Sequence, residues 1–178
     1  RHPNLYIKWL SNYIFKDIDF KNKKVLDIGG GSGLASYYIV SKGANKVVLL
    51  DPVSDGSAKY YNERYNLLRS NLQYHTKKII LVNDTFQNYE YPSGSFDFII
   101  LLNSINHLNE EKYINILNNK IDYEEYINIL VKIKQLLNKN GKIIITDCMR
   151  SNFFYLLNMS NPFAPSIEWL KHHNPKVI

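Results

Sequence analysis

The stretch Val25-Leu26-Asp27-Ile28-Gly29-Gly30-Gly31-Ser32-Gly33-Leu34-Ala35 decides how the rest of the chain is read. A short apolar run enters four glycines, and the glycines lead into a second apolar run. That order describes a strand passing into a helix through a tight turn, which sets backbone N–H groups and a helix N-terminus against whatever occupies the strand's carboxyl end. Glycine lets the chain turn sharply and lets a ligand approach the backbone closely. A phosphate-cradling loop of the Gly-Lys-Ser/Thr kind is excluded, because no lysine follows the glycines. The dinucleotide fingerprint Gly-x-Gly-x-x-Gly/Ala also fails, ending on Leu34 when counted from Gly29 and on Ser36 when counted from Gly31. The residues do satisfy Asp-x-Gly-x-Gly-x-Gly, at Asp27, Gly29, Gly31 and Gly33.

Outward from this stretch, five short β-branched or Leu-rich runs punctuate the chain, at 25–28, 47–50, 79–82, 98–102 and 143–146. They lack period-two alternation, as strands buried on both faces do. Segments long enough for crossover helices separate them, at 34–41, 57–72 and 110–137. Such alternation predicts an α/β fold with a mainly parallel sheet and helices on both faces. Ahead of the first strand, Tyr6, Ile7, Trp9, Leu10, Tyr13 and Ile14 fall at helical spacing and predict an amphipathic helix. Between the fourth and fifth strands Tyr113-Ile114-Asn115-Ile116-Leu117 recurs as Tyr126-Ile127-Asn128-Ile129-Leu130, an offset of 13 residues. That offset is close to a whole number of helical turns, so both copies face one way if the helix runs through or resumes.

A length of 178 residues fits one domain, with no linker or low-complexity tract. Lys plus Arg outnumber Asp plus Glu by 22 to 16, for a net charge of +6. Nucleic acid is a possible partner on that balance but not the favoured one, since only Arg1, Arg64, Arg69 and Arg150 carry the guanidinium fork suited to phosphate. The single Cys148 excludes an internal disulfide framework and fits a reducing, cytoplasmic setting. No apolar run approaches the roughly 18 to 20 residues that span a bilayer, so no membrane partner is expected.

The Asp27 and glycine pattern resembles motif I of the class I S-adenosylmethionine-dependent methyltransferases. The similarity continues along residues 23–147. About 20 residues after the glycines the second strand ends in Asp51, where the family holds both ribose hydroxyls with one carboxylate. Asn83-Asp84-Thr85-Phe86 is similar to the family's adenine-binding turn, with Asp84 taking the exocyclic amine and Phe86 near the base. Pro92-Ser93-Gly94-Ser95-Phe96-Asp97 resembles its loop before the fourth strand, and Asn103-Ser104-Ile105-Asn106-His107 the segment under the methionine moiety. Leu136-Leu137-Asn138-Lys139-Asn140-Gly141-Lys142 resembles the turn before strand five, with Asn140-Gly141 in place of Pro-Gly. The resemblance implies a Rossmann-like doubly wound sheet and S-adenosylmethionine as cofactor, with S-adenosylhomocysteine as product. It implies cofactor contacts at Asp27, Gly29, Gly30, Gly31, Gly33, Asp51, Pro52, Asp84, Thr85, Phe86, Asn103 and Ser104. The family's sheet has seven strands, so residues 1–178 read as a single domain expected to lack the last two.

The chemistry implied is methyl transfer to a small-molecule acceptor. RNA or protein acceptors, and a non-catalytic domain that binds the cofactor or a partner, are the alternatives. His107, a neutral imidazole able to take a proton, and Asp147, at the carboxyl end of strand five, are the two candidates for acceptor chemistry. Phe153, Phe154 and Tyr155 could meet a sulfonium or an aromatic acceptor, although core or lid packing serves them equally. His172 and His173 diverge if helical, so no metal set is visible.

Overall fold

The computed structural model describes residues 3–52, 77–109 and 118–147, together with residues 63, 66, 67, 70, 112, 113 and 116. Five strands, β1 (Lys24–Ile28), β2 (Lys46–Leu50), β3 (Ile79–Val82), β4 (Phe96–Leu102) and β5 (Leu137–Thr146), form one sheet in the order β3-β2-β1-β4-β5. Every pairing is parallel. The order reverses between β1 and β4, and a parallel sheet opens a crevice at the carboxyl end of such a switch point.

The inner strands β1, β2 and β4 are buried almost throughout, which is why their sequences show no alternation. On one face Val25, Val47, Leu49, Phe98 and Ile100 pack with Leu10 and Phe15 from the N-terminal segment and with Ala35, Tyr37, Ile39 and Val40 of α2 (Leu34–Ser41). On the other, Leu26, Ile28, Val48, Leu50, Ile99 and Leu101 pack with Ile133 and Leu136 of α3 (Lys120–Leu136). The N-terminal helix α1 (Pro3–Trp9) runs on into a π-helical turn at Leu10–Ile14.

Two expectations are corrected. β3 and β5 are not buried on both faces: Ile80, Ile143 and Ile145 are exposed, on the two edge strands of the sheet. Asn138 to Gly141 are not a turn ahead of β5 but a bulge within it. Phe96 pairs with Leu137 and Phe98 with Lys142, so β5 uses five steps (137 to 142) where β4 uses two (96 to 98). Of the two courses open to the Tyr-Ile-Asn-Ile-Leu repeat, a helix resuming is the one found: Asn119 between the copies is extended and caps α3 through Oδ1, which accepts from the N–H groups of Ile121 and Asp122. The two tyrosines still meet, with the Tyr113 and Tyr126 rings 5.8 Å apart. Residues 63, 66, 67 and 70 are helical, as expected for part of 57–72. The rest of that helix, Cys148, Phe153, Phe154, Tyr155, His172 and His173 lie outside the described residues.

Candidate functional site

The glycine loop is built to leave its outer side free. The N–H of Gly29 donates to the Leu50 carbonyl at 2.8 Å, continuing the ladder between β1 and β2 one step past the strands. Its φ of +67° is a left-handed conformation, and a Cβ there would sit 2.5 Å from the Cβ of Ser104 across the switch point. A Cβ at Gly30 would meet a Leu49 methyl at 2.2 Å and Asp27 Oδ2 at 2.6 Å. At Gly31, by contrast, a Cβ would meet nothing within 4 Å, so this is where the backbone faces open space. Gly33 then caps α2.

Beneath the loop lies Asp27, completely buried at the end of β1. The hydroxyl of Ser36, also fully buried on α2, donates to its Oδ2 at 2.6 Å. Its Oδ1 is buried without a hydrogen-bond partner. Burial pushes the Asp27 carboxyl up to about 6, with the Ser36 hydrogen bond pulling the other way and the nearby Asp51 charge adding to the rise. A buried carboxylate beside a second carboxylate, with no cation paired to it among the described residues, is an incomplete electrostatic arrangement, and a cationic ligand at the loop would complete it.

Asp51 follows β2 and accepts from the Gly31 N–H at 2.9 Å, so it both lines the crevice and shapes the loop. Pro52 beside it is exposed. Asp84 follows β3 and is half-buried. Its Oδ1 accepts from the Thr85 N–H at 2.7 Å and from the Asn88 side-chain amide at 3.1 Å, which leaves Oδ2 outside these two bonds. Three carboxylates thus stand at the carboxyl ends of three adjacent strands. Phe86 is buried in the core with Val48 and Leu50 neighbours in its cluster, and the Lys132 ammonium lies 5.1 Å over its ring. It forms wall beneath the crevice rather than an exposed stacking face.

After β4, Asn103 adopts φ +55° and its N–H donates to the Thr146 carbonyl at 2.6 Å, tying the ends of β4 and β5 together. Ser104 is buried and donates to the Ile28 carbonyl at 2.7 Å, which ties β4 to β1. His107 is exposed on a 3-10 turn, Ile105–His107. Asp147 is half-buried just past β5, and so belongs to the same edge. No group of three or more His, Cys, Asp or Glu able to hold a metal occurs among the described residues.

Sequence reading missed Ser36 and Lys132. A serine set within the apolar start of α2, nine residues after Asp27, was the available sign of the first. Lys132 donates from α3 to the carbonyls of Phe86 at 3.0 Å and Gln87 at 2.8 Å, while the Gln87 side-chain amide donates to the Leu108 carbonyl. These bonds staple the Asp84 loop to the loop after β4. Nothing in the local sequence marks them.

Comparison with known proteins agrees with this architecture. The methyltransferase domain family matches residues 2–173. A Methanocaldococcus jannaschii protein assigned as a protein N5-glutamine methyltransferase is 33% identical over 105 residues, covering 56% of this chain and 46% of its own length. Among solved structures, the PH0226 protein of Pyrococcus horikoshii superposes with a TM-score of 0.59 at 17% identity, over 87% of this chain and 57% of that one. An S-adenosylmethionine-dependent methyltransferase from Mesorhizobium loti gives 0.58 at 13% identity, over 83% and 56%. The chain thus spans about half the length of the relatives it matches. With the family matched over nearly its whole length, a five-strand parallel sheet and the Asp27 glycine loop at the switch point, the chain belongs to the methyltransferase domain family.

Proposed function

We propose that this domain binds S-adenosylmethionine across the carboxyl ends of β1, β2 and β3 and passes its methyl group to a small-molecule acceptor. The observation that carries the reading is the buried, half-bonded Asp27 carboxylate beneath a glycine loop whose Gly31 side is open. It fits a cofactor that carries a sulfonium and an ammonium.

Gly29, Gly30, Gly31 and Gly33 bring backbone close to the methionine end, and Asp27 supplies negative charge below it. Asp51, with Pro52 beside it, holds the ribose hydroxyls. Asp84, Thr85 and Phe86 form the adenine end, and Asn103 and Ser104 close the floor from β4. When bound, the cofactor supplies an electrophilic methyl whose bond to sulfur breaks, with the electron pair staying on sulfur, as the acceptor's lone pair attacks in line. The protein's share is alignment of two bound reactants, which alone is worth roughly 7 to 11 kcal/mol. His107 and Asp147, on the β4 and β5 side, are placed to take the proton that an O–H or N–H acceptor gives up.

A small acceptor is favoured over a nucleic acid because Asp27, Asp51, Asp84 and Asp147 make this end of the sheet acidic. A protein side-chain amide is the second reading, favoured by the similarity to the N5-glutamine methyltransferase. Residues 1–178 act as one cofactor-binding unit in either case, and the lone Cys148 suits a reducing, cytoplasmic setting. Calorimetric titration with S-adenosylmethionine and S-adenosylhomocysteine tests the assignment: saturable binding of both is expected. Absence of heat at about 1 mM ligand, the weakest affinity worth the name here, would sink it.

A further inference from the structure

The cavity between Asp17, Asp19, Lys23, Asp97 and Lys139, of about 550 Å³, has charges that offset one another and carries little. The opposite is true of the strand starts beside it. Lys24 and Lys46 are directly opposed in the β1 and β2 register. The Lys78 carbonyl accepts from the N–H of Val47, which sets Lys78 next in the same row. Three lysines thus stand at the starts of three adjacent strands, whose backbones are about 4.8 Å apart, and the Lys78 ammonium donates to the Ala44 carbonyl at 3.2 Å.

Further lysines flank the row. Lys42 caps the end of α2, and Gly43 beside it packs against Lys21. Lys77 precedes β3, while Lys139 and Lys142 stand exposed on the β5 bulge. The Lys24 N–H donates to Asp97 Oδ2 at 2.8 Å, but among the described residues the Lys24 and Lys46 ammonium groups have no carboxylate partner and lie over the Tyr91 ring, at 5.2 and 5.9 Å. Burial raises the Tyr91 phenol, yet the Lys46 ammonium bonded to it and the adjacent Lys24 hold it below its ordinary value. That is the signature of a locally positive potential. Asp97, at the start of β4, shares this end and lies 3.7 Å from the Lys23 ammonium, while Asp27, Asp51, Asp84 and Asp147 stand at the other, carboxyl end.

We infer that the amino end of the sheet, centred on Lys24, Lys46 and Lys78, is a docking face for the phosphate backbone of a nucleic acid. A row of cations suits an extended polyanion rather than a single phosphate. Lysine without arginine positions such a chain without reading its bases. An anionic membrane fits less well, because stable contact needs apolar side chains to enter the lipid, and here the lysines are bordered by Asn22, Asn45, Asn138 and Asn140. Lys24 stands three residues along β1 from Asp27, about 10 Å away. A nucleic acid held there is a tether, distinct from the methyl acceptor, and the inference stands whether or not the cofactor assignment does.

Fluorescence anisotropy with a labelled single-stranded RNA of about 20 nucleotides tests it, with a dissociation constant expected to rise at least tenfold between about 50 and 200 mM salt. Two double variants separate position from net charge. K42E/K77E and K8E/K120E each change four units, taking +6 to +2. K42E/K77E should weaken RNA binding at least tenfold at low salt and K8E/K120E less than twofold, both with unchanged circular dichroism and melting temperature. Equal losses, no binding of wild type at low salt, or tighter binding to phosphatidylserine vesicles than to RNA would each overturn the assignment.

Discussion

The Ser36 hydroxyl on α2 holds one oxygen of the Asp27 carboxylate at 2.6 Å, while the other oxygen of the same group is buried without a partner. The helix therefore fixes which way the carboxylate is turned, and the charge it carries is left for a ligand to neutralise. Asp27 is consequently a pH-sensitive group.

Its carboxyl titrates near 6 in the folded chain, against 3.8 for an ordinary aspartate, chiefly through burial. The folded state then holds its proton more tightly than the unfolded one, so the Asp27 contribution to stability is greatest below about pH 4 and is lost as pH rises through about 6. The loss amounts to about 3 kcal/mol. Urea unfolding at pH 5 and pH 7 should show about 1 kcal/mol of this fall in the wild type and none of it in Asp27→Asn. Identical slopes would remove Asp27 as the source. Affinity for S-adenosylhomocysteine, which keeps the ammonium, should rise about tenfold over the same interval if only the ionised carboxylate binds.

The three glycines at the turn are expected to differ in their response to alanine. Gly29→Ala and Gly30→Ala drive a methyl into Ser104 or into Leu49 and Asp27, and should abolish cofactor binding with a large loss of stability. Gly31→Ala meets no atom but keeps a φ of +54°, and should cost only about 1 kcal/mol. Calorimetry with chemical denaturation would rank them, and a Gly31→Ala loss equal to the other two would refute the geometry.

Asp51 has two tasks, accepting from the Gly31 N–H and facing the crevice. Asp51→Ala should weaken cofactor binding by about 1 kcal/mol or more, roughly fivefold, as the loss of charge-assisted hydrogen bonds does. An unchanged dissociation constant would take Asp51 out of the site.

Lys132 touches no proposed ligand position, yet it holds the carbonyls of Phe86 and Gln87. Lys132→Met should raise the KM for S-adenosylmethionine several-fold with kcat little altered, about what losing hydrogen bonds from a charged donor implies. Lys132→Arg should restore most of it. A drop in kcat alone, with KM unmoved, would show that the staple does not serve the Asp84 loop.

The inner strands were legible because burial on both faces writes itself locally, as short runs without alternation at 25–28, 47–50 and 98–102. The glycine loop was legible for a similar reason, since backbone conformation and close packing restrict single positions. Asp27, Asp51 and Asp84 followed, each standing at a strand end that the sequence itself marks. The bulge of β5 was not legible, because Asn138 to Gly141 read as a turn until pairing with β4 absorbs them. Ser36 found Asp27, Lys132 found Phe86, and Lys24, Lys46 and Lys78 came into one row only through the crossing of helices and the register of parallel strands. Local physics thus determined which segments form strands and where a ligand's backbone cradle lies. Long-range packing alone decided which side chains orient that cradle, and how the lysines, scattered along the sequence, gather at one end of the sheet.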